Sequence, residues 1–419
     1  MNVTEYVKHL GQTATAATVY IGSASSAAKN AILATLAQLL RDETAAISAA
    51  NKLDTDQAAK AGLSAAMMDR LTLTPDGISA LARAVDEISA LPDPVGKMGE
   101  MTVRPNGLRV GQMSIPLGVI AFIYESRPNV TIDAAALCLK SGNAVILRGG
   151  KEALNTNLAL AKVIDAALAH HNCPPGAVQV INITDREVVE QLLKLEGTID
   201  LLIPRGGESL IRYVNDNARV PVLKHYKGVC HVYIDKDADL AMGLDIAMNS
   251  KVHRPGVCNA AETLLVHADV ADDFLPRFAS LARDAGLKLR GCAQSLEIVP
   301  EGMTAATEAD WGEEYLAMIL AVKVVEDYAQ AVAHIRQYGS DHTETIVTED
   351  ESAGLRFIGE VHSSLVLVNA STRFNDGGQL GMGAEIGIST SKLHAFGPMG
   401  IEHLTIKKHI AFGNGQVRE

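Results

Sequence analysis

The cysteine at position 258 has the sequence surroundings of a reactive thiol. It follows the pair Pro255-Gly256 and the polar residues His253 and Arg254, and an apolar, strand-like run begins five residues later. Because a Pro-Gly pair ends a regular element, Cys258 is predicted to lie at a sharp turn, at the start of a short helix. The free N–H groups and positive dipole of such a helix would favour the thiolate, which is the nucleophilic form of cysteine.

The other four cysteines lack these surroundings. Cys138 lies in an apolar helical run and Cys230 in an apolar strand-like run, and neither Cys173 nor Cys292 follows a comparable turn. Free cysteines are usually small buried hydrophobic residues, and this interpretation applies to all four. A sparse, odd number of cysteines indicates a reducing compartment. The sequence has no CxxC…CxxC or HExxH pattern, so no metal site is expected.

Two segments have the pattern of an anion-binding turn. Arg148-Gly149-Gly150-Lys151 follows one predicted strand, and Arg205-Gly206-Gly207 follows another. Backbone N–H groups at the start of a helix bind phosphate groups well, and two cations stand beside the first turn. Neither segment is a GxGxxG or Walker loop, so two ordinary strand-to-helix turns remain the alternative.

A polar, glycine-rich loop follows a predicted strand near residue 368. It includes Arg373 and Asn375, and it is predicted to hold a small polar substrate. Arg373 is the candidate clamp for a carboxylate or phosphate, since guanidinium binds such groups in bidentate fashion. A solvated surface loop is the alternative. The pair Glu313-Glu314 is more typical of a solvated face or a helix start.

Composition and charge indicate a globular protein. The chain has 419 residues, of which 47% are hydrophobic and 21% charged, which suggests two or three domains. A net charge of −12 argues against nucleic acid or an anionic membrane as a partner. No apolar run approaches the ~20 residues of a membrane span. A cytoplasmic protein is therefore expected.

The order of predicted elements indicates an α/β fold. Helical spacing of alanine and leucine predicts about four helices before residue 95, and a small antiparallel hairpin follows. From Leu117 strands and helices alternate, which predicts a doubly wound parallel sheet, and a second series begins near Asp235. The tail Leu404–Ala411 is predicted to be an exposed strand that pairs with the hairpin of this or another subunit.

These motifs together resemble the aldehyde dehydrogenase superfamily. The turn around Cys258 is similar to its nucleophile turn, and Lys140–Arg148 is similar to the strand where it holds the adenosine ribose. More narrowly, residues 254–260, His342-Thr343-Glu344 and above all 371–400 resemble the glutamate-5-semialdehyde dehydrogenases, also called gamma-glutamyl phosphate reductases. The resemblance covers essentially the whole chain.

The resemblance implies two doubly wound parallel-sheet domains and a small β oligomerisation element. The NADP-binding domain would comprise 1–98 and 116–234, and the catalytic domain 235–392 with the nucleophilic cysteine. The oligomerisation hairpin and tail would comprise 99–115 and 393–419. A homo-oligomer is expected on this basis.

The implied activity is NADPH-dependent reduction of L-glutamate 5-phosphate to L-glutamate 5-semialdehyde and phosphate, in proline biosynthesis. Cys258 would be the nucleophile, with Ser126 and Asn129 as candidate oxyanion donors. The residues implied in cofactor binding are Arg148, Gly149, Lys151, Arg205, Gly206, Gly207 and Glu314. The residues implied in substrate binding are His253, Arg254, Arg373 and Asn375. Glutamate 5-kinase is a candidate partner that would deliver the labile acyl phosphate.

The chain departs from the superfamily at its water-activating glutamate. That position falls near His225-Tyr226-Lys227-Gly228, which contains no glutamate. An oxidising enzyme uses this carboxylate to help water hydrolyse a thioester, whereas a reductase discharges the thioester with hydride. The departure therefore suits a reductase. A coenzyme A-dependent acylating aldehyde dehydrogenase and a catalytically inactive scaffold remain the alternatives.

Overall fold

The computed structural model describes residues 2–223 and 227–418, except for the side chain of Ala66. The chain divides into two compact units. Of the described residues, 2–223, 382–387 and 399–418 form the first unit, and 227–381 and 388–398 form the second. Each unit is built around its own parallel sheet.

The first unit begins with helices. They are α1 (Val3–Ser23), α2 (Ser26–Asp42), α3 (Thr44–Lys60), α4 (Ala65–Leu71) and α5 (Pro75–Ala90). Four of them start at a polar side chain that accepts a backbone N–H three residues ahead, namely Asn2, Ser25, Ser64 and Thr74. The prediction of about four helices missed the seven-residue α4, which is too short to show a helical period. The predicted hairpin follows as β1 (Thr102–Val103) and β2 (Arg109–Pro116), which pair antiparallel.

A four-stranded parallel sheet forms the centre of the first unit. Its strands are β3 (Val119–Tyr124), β4 (Ala144–Arg148), β5 (Val178–Val180) and β6 (Leu201–Arg205), in the order β5-β4-β3-β6. They alternate with α6 (Asn129–Lys140), α7 (Leu154–His170), α8 (Glu187–Leu192) and α9 (Glu208–Asn217). The strand order reverses at β3, and such a reversal opens a crevice at the carboxyl ends of the strands where ligands bind.

The second unit contains a seven-stranded parallel sheet. Its strands are β7 (Cys230–Ile234), β8 (Ala261–His267), β9 (Lys288–Gly291), β10 (Met303–Ala305), β11 (Ile319–Val325), β12 (Thr343–Val347) and β13 (Leu365–Val368). Their order is β10-β9-β11-β8-β7-β12-β13. The helices are α10 (Leu240–Val252), α11 (Ala268–Asp284), α12 (Ala293–Ile298), α13 (Tyr328–Tyr338) and α14 (Glu351–Glu360). Separate apolar cores, one around Phe274 and one around Phe357, pack against the sheet.

One strand lies in a different sheet from the one that its place in the sequence suggested. β7 belongs to the range assigned to the NADP-binding domain, but it pairs with β8 and β12 in the second unit. The elements β9, β10, α12 and α14 were not predicted. β9 is a strand of four residues, Lys288-Leu289-Arg290-Gly291, in which charged residues alternate with small or apolar ones, so it resembles a loop.

The carboxyl-terminal segment completes a third, antiparallel sheet. After β14 (Gly387–Ser389) and β15 (Gly397–Met399), β16 (Thr405–Phe412) pairs with β2 along its whole length. The prediction that the tail pairs with the hairpin is confirmed within one chain. β16 lies at the edge of this sheet, and its side chains are mostly exposed. Within the described residues, no helix combines the length and apolar character that crossing a membrane requires.

Candidate active site

Cys258 lies in a turn that connects α10 to β8. We call residues 253–260 the nucleophile turn; in it the Ala260 N–H donates to the Val257 carbonyl at 3.1 Å. The prediction that Cys258 starts a short helix is wrong, because the chain passes from the turn directly into the buried strand β8. The helix end that precedes Cys258 in the chain is the carboxyl terminus of α10, whose dipole does not favour a thiolate.

Cys258 is less buried than three of the other four cysteines. Cys258 and Cys292 are partly buried, and the remaining three are buried. Desolvation raises the pKa of Cys138 and Cys230 strongly, and it raises that of Cys173 to about 11. These three thiols are therefore protonated and inert at neutral pH.

A glycine brings Glu314 close to the nucleophile turn. A Cβ added at Gly228 would overlap the carbonyl oxygen of Cys258, so only glycine fits at this close backbone approach. The Gly228 N–H donates to Glu314 Oε1 at 2.8 Å. Glu314 and the Cys258 carbonyl therefore both lie against Gly228, so Glu314, which the resemblance implies in cofactor binding, is close to the nucleophile turn.

Arg254, in the nucleophile turn, and Arg373 lie close enough to influence one another. Arg373 Nε donates to His253 Nδ1 at 3.4 Å. Partial burial lowers the pKa of Arg373, and repulsion from Arg254 lowers it further, whereas attraction to Asp376 and, after it, to Cys258 opposes this. Three residues predicted to bind the substrate, His253, Arg254 and Arg373, are thus close enough to interact. This cluster suits an anionic substrate group.

Asn375 has a different environment from the arginines. It is fully buried, and its Nδ2 donates to Thr343 Oγ1 at 2.6 Å and to the His342 carbonyl at 3.3 Å. Its Oδ1 has no hydrogen-bond partner among the described residues. The amide nitrogen anchors the loop, and Oδ1 is buried inside the protein as well.

A buried ion pair flanks the nucleophile turn, and the sequence analysis missed it. Lys251 Nζ and Glu262 Oε2 are 2.5 Å apart, and both side chains are 0% exposed. Desolvation raises the pKa of Glu262 and lowers that of Lys251, while their mutual attraction opposes both changes. The sequence did contain one sign of this ion pair, because Glu262 is a charged residue at the start of the apolar run that forms the buried strand β8.

In the first unit, three cations are associated with the turn after β4. Arg148 donates to the carbonyls of Gly149 at 3.2 Å and Thr184 at 3.4 Å. Desolvation lowers the pKa of Arg148, attraction to Glu152 opposes this, and repulsion from Arg186 lowers it again. Lys151 is exposed in the same turn. The sequence analysis did not predict a role for Arg186, because this residue is far from Arg148 along the chain.

The turn after β6 carries a carboxylate at the start of α9. The Gly207 N–H donates to Glu125 Oε2 at 2.9 Å, and a Cβ at Gly206 would approach the same oxygen to 2.6 Å. Arg205 precedes these glycines at the end of β6. The Gly207 N–H of the predicted anion-binding turn therefore accommodates an anionic acceptor, and Glu125 occupies that position here.

The two candidate oxyanion donors also contact carboxylates within the first unit. Ser126 has a φ of 30°, and both its N–H and its Oγ donate to Glu152 Oε1, at 2.8 and 2.7 Å. Asn129, the first residue of α6, donates from Nδ2 to Asp133 Oδ2 at 3.0 Å. Of the segment that lacks the water-activating glutamate, His225 and Tyr226 lie outside the described residues.

Comparisons with known proteins identify the family. The model of the aldehyde dehydrogenase family matches residues 3–289. Gamma-glutamyl phosphate reductase of Desulfotalea psychrophila is 54% identical over 418 residues, and that of Nitratidesulfovibrio vulgaris strain DP4 is 55% identical over 419 residues; each match covers 100% of both chains. The chain belongs to the gamma-glutamyl phosphate reductases of the aldehyde dehydrogenase family.

Solved structures of this family confirm the predicted fold class. The crystal structure of gamma-glutamyl phosphate reductase from Thermotoga maritima matches with a TM-score of 0.97 at 42% identity, covering 99% of this chain and 100% of that one. An acetylating aldehyde dehydrogenase from Geobacillus thermoglucosidasius matches with a TM-score of 0.70 at 18% identity, covering 100% of this chain and 98% of that one. It shares the fold. The chain is an oxidoreductase with the α/β fold of aldehyde dehydrogenases.

Proposed function

We propose that this chain reduces L-glutamate 5-phosphate to L-glutamate 5-semialdehyde and phosphate with NADPH, through a thioester on Cys258, in proline biosynthesis. The observation that carries the mechanism is the partly buried Cys258 in a turn that also contains His253 and Arg254, with Arg373 donating to His253. A thiol with nearby cations is both more ionised and better placed to meet an anionic substrate.

The chemistry follows from the residues of the second unit. The Cys258 thiolate attacks the acyl carbonyl, the C–O bond to phosphate breaks, and phosphate leaves with the bonding electron pair. Arg254 and Arg373 neutralise the anionic groups of the substrate. Backbone N–H groups of the nucleophile turn stabilise the oxyanion, and Ser126 and Asn129 stay candidates for a side-chain donor. Hydride reduces the thioester, and the resulting thiohemiacetal releases the aldehyde and the thiolate.

NADPH, when bound, supplies the hydride. The residues of the first unit fit this cofactor. Arg148, Arg186 and Lys151 form a cationic group at the end of β4 that suits a 2′-phosphate, and the Arg205-Gly206-Gly207 turn suits the pyrophosphate once Glu125 moves away. In this proposal 1–98 and 116–223 bind the cofactor, and the second unit, which includes β7, carries the chemistry.

The decisive assay runs the reaction backwards. Purified protein is mixed with glutamate 5-semialdehyde and NADP⁺, and NADPH formation is followed with phosphate, with coenzyme A or with neither. Phosphate-dependent turnover that is faster with NADP⁺ than with NAD⁺ is expected. Turnover that requires coenzyme A would establish the acylating alternative, and no turnover with any acceptor would favour the inactive scaffold.

The proposal extends to assembly and location. The exposed edge strand β16 and the hairpin, with 99–115 and 393–419, suit contact between copies of the chain, so we expect a homo-oligomer in the cytoplasm. Because acyl phosphates hydrolyse readily, a kinase such as glutamate 5-kinase is the proposed supplier of substrate. Light scattering coupled to size-exclusion chromatography, alone and with the kinase, tests both expectations.

A further inference from the structure

Asn259 connects the nucleophile turn to the segment 371–376, which we call the Arg373 loop. Asn259 directly follows Cys258 and is 4% exposed. Its Nδ2 donates to the carbonyls of Asn375 at 2.9 Å and Arg373 at 3.5 Å. In return, Thr372 Oγ1 donates to the Asn259 carbonyl at 2.7 Å. Three hydrogen bonds therefore join the residue after the nucleophile to three residues of the loop.

The rest of the Arg373 loop is fixed at other points. The Thr372 N–H donates to Ser250 Oγ at 3.2 Å, and Asn375 Nδ2 donates to Thr343 Oγ1 at 2.6 Å. These contacts attach the loop to α10 and β12 and do not involve the nucleophile turn. The backbone carbonyl of Arg373, by contrast, is held by Asn259, while His253 accepts from its side chain.

We propose that Asn259 is a positioning residue that fixes the guanidinium of Arg373 relative to the sulfur of Cys258. The inference rests on the proposed function, in which Arg373 binds an anionic group of the substrate while Cys258 attacks. Asn259 makes no contact with the reacting atoms in this account. The Asn259 amide acts through the backbone of the Arg373 loop. It thereby keeps the Arg373 guanidinium in a constant position relative to the Cys258 sulfur.

The test compares two alkylating reagents on the full-length protein. Iodoacetate is an anion and iodoacetamide is neutral, so the ratio of their rates at Cys258 reports the positive charge beside the sulfur. A well-placed cation raises the encounter of an anionic reagent by about tenfold or more. Rates are measured at Cys258 by peptide mass spectrometry, and the ratio is normalised to that of a small free thiol.

Arg373→Gln is expected to lower this ratio about tenfold. Asn259→Ala and Asn259→Leu, which keeps most of the side-chain volume, are expected to lower the ratio at least fivefold while the iodoacetamide rate changes less than about twofold. In steady-state assays the same variants raise KM for the acyl phosphate more than they lower kcat. Thermal unfolding shows which variants remain folded.

Asn51→Ala is the matched control. Asn51 is also 4% exposed, and its Nδ2 donates to the Leu71 carbonyl at 2.9 Å, in the first unit. The Asn51→Ala variant should be less stable than the wild type but should have the same ratio of iodoacetate to iodoacetamide rates at Cys258. The inference is overturned if a folded Asn259 variant keeps the wild-type ratio, or if Asn51→Ala lowers it equally. Slow alkylation of Cys258 by both reagents in the wild type would instead refute the proposed nucleophile.

Discussion

The buried pair of Lys251 and Glu262 should respond asymmetrically to mutation. Lys251 Nζ lies 2.5 Å from Glu262 Oε2 and 5.9 Å from the centre of the Tyr315 ring, and Glu262 Oε1 accepts the Leu316 N–H at 3.3 Å. Lys251→Met keeps most of the side-chain length and removes the charge. It leaves a carboxylate with 0% exposure and without its cationic partner.

The expected cost follows from this burial. Removing one partner of a buried ion pair costs about 3–5 kcal/mol of stability, whereas replacing both partners with apolar residues of similar size is about neutral. The cost depends on pH. Burial already raises the pKa of Glu262, and the loss of Lys251 raises it further, so the folded variant holds a proton that the unfolded chain has lost. Stability of Lys251→Met therefore falls as pH rises above about 4.3.

Urea unfolding at pH 5 and pH 8 measures this effect. The full loss of about 3–5 kcal/mol is expected at pH 8 and a much smaller loss at pH 5. The double variant with Glu262→Met should recover most of it. Lys52→Met is the control, because the Lys52–Asp56 pair is 73% and 52% exposed, and its loss should cost less than about 1 kcal/mol. A Lys251→Met variant as stable as the control at pH 8 would refute the reasoning.

Three further predictions concern single residues. Gly228→Ala should displace the backbone of Cys258 and lower kcat about 100-fold, whereas Gly312→Ala, where an added Cβ meets no atom within 4 Å, should have normal kcat. Burial lowers the pKa of His334 to about 2, so the native state stays neutral where the unfolded chain gains a proton; the melting temperature should fall below pH 6.5, and His334→Gln should weaken that fall. Arg186→Ala should raise KM for NADPH more than KM for NADH, and equal increases would exclude a 2′-phosphate contact.

Local sequence predicted most elements of the fold but not their arrangement in sheets. Strands such as β3 and β13 are short apolar runs between turns, and helices such as α9 have clear amphipathic spacing, so both are visible locally. The sheet to which β7 belongs could not be predicted locally, because β7 pairs with β8 and β12, which lie farther along the chain.

The candidate site shows the same limit. The Pro255-Gly256 pair correctly predicted a turn before Cys258, but it could not predict that a strand rather than a helix follows. The pair of Lys251 and Glu262 forms only because α10 and β8 place their ends together. Pairings of this kind come from tertiary structure, and no local pattern encodes them.

The most direct test of the account is a single-turnover experiment without phosphate. Glutamate 5-semialdehyde and NADP⁺ are mixed with the enzyme, and NADPH is followed by absorbance. The account predicts a burst of about one NADPH per active Cys258, because the thioester forms and then waits for an acceptor, and phosphate added later restores turnover. Cys258→Ala should give no burst, and a normal burst from that variant would contradict the central claim.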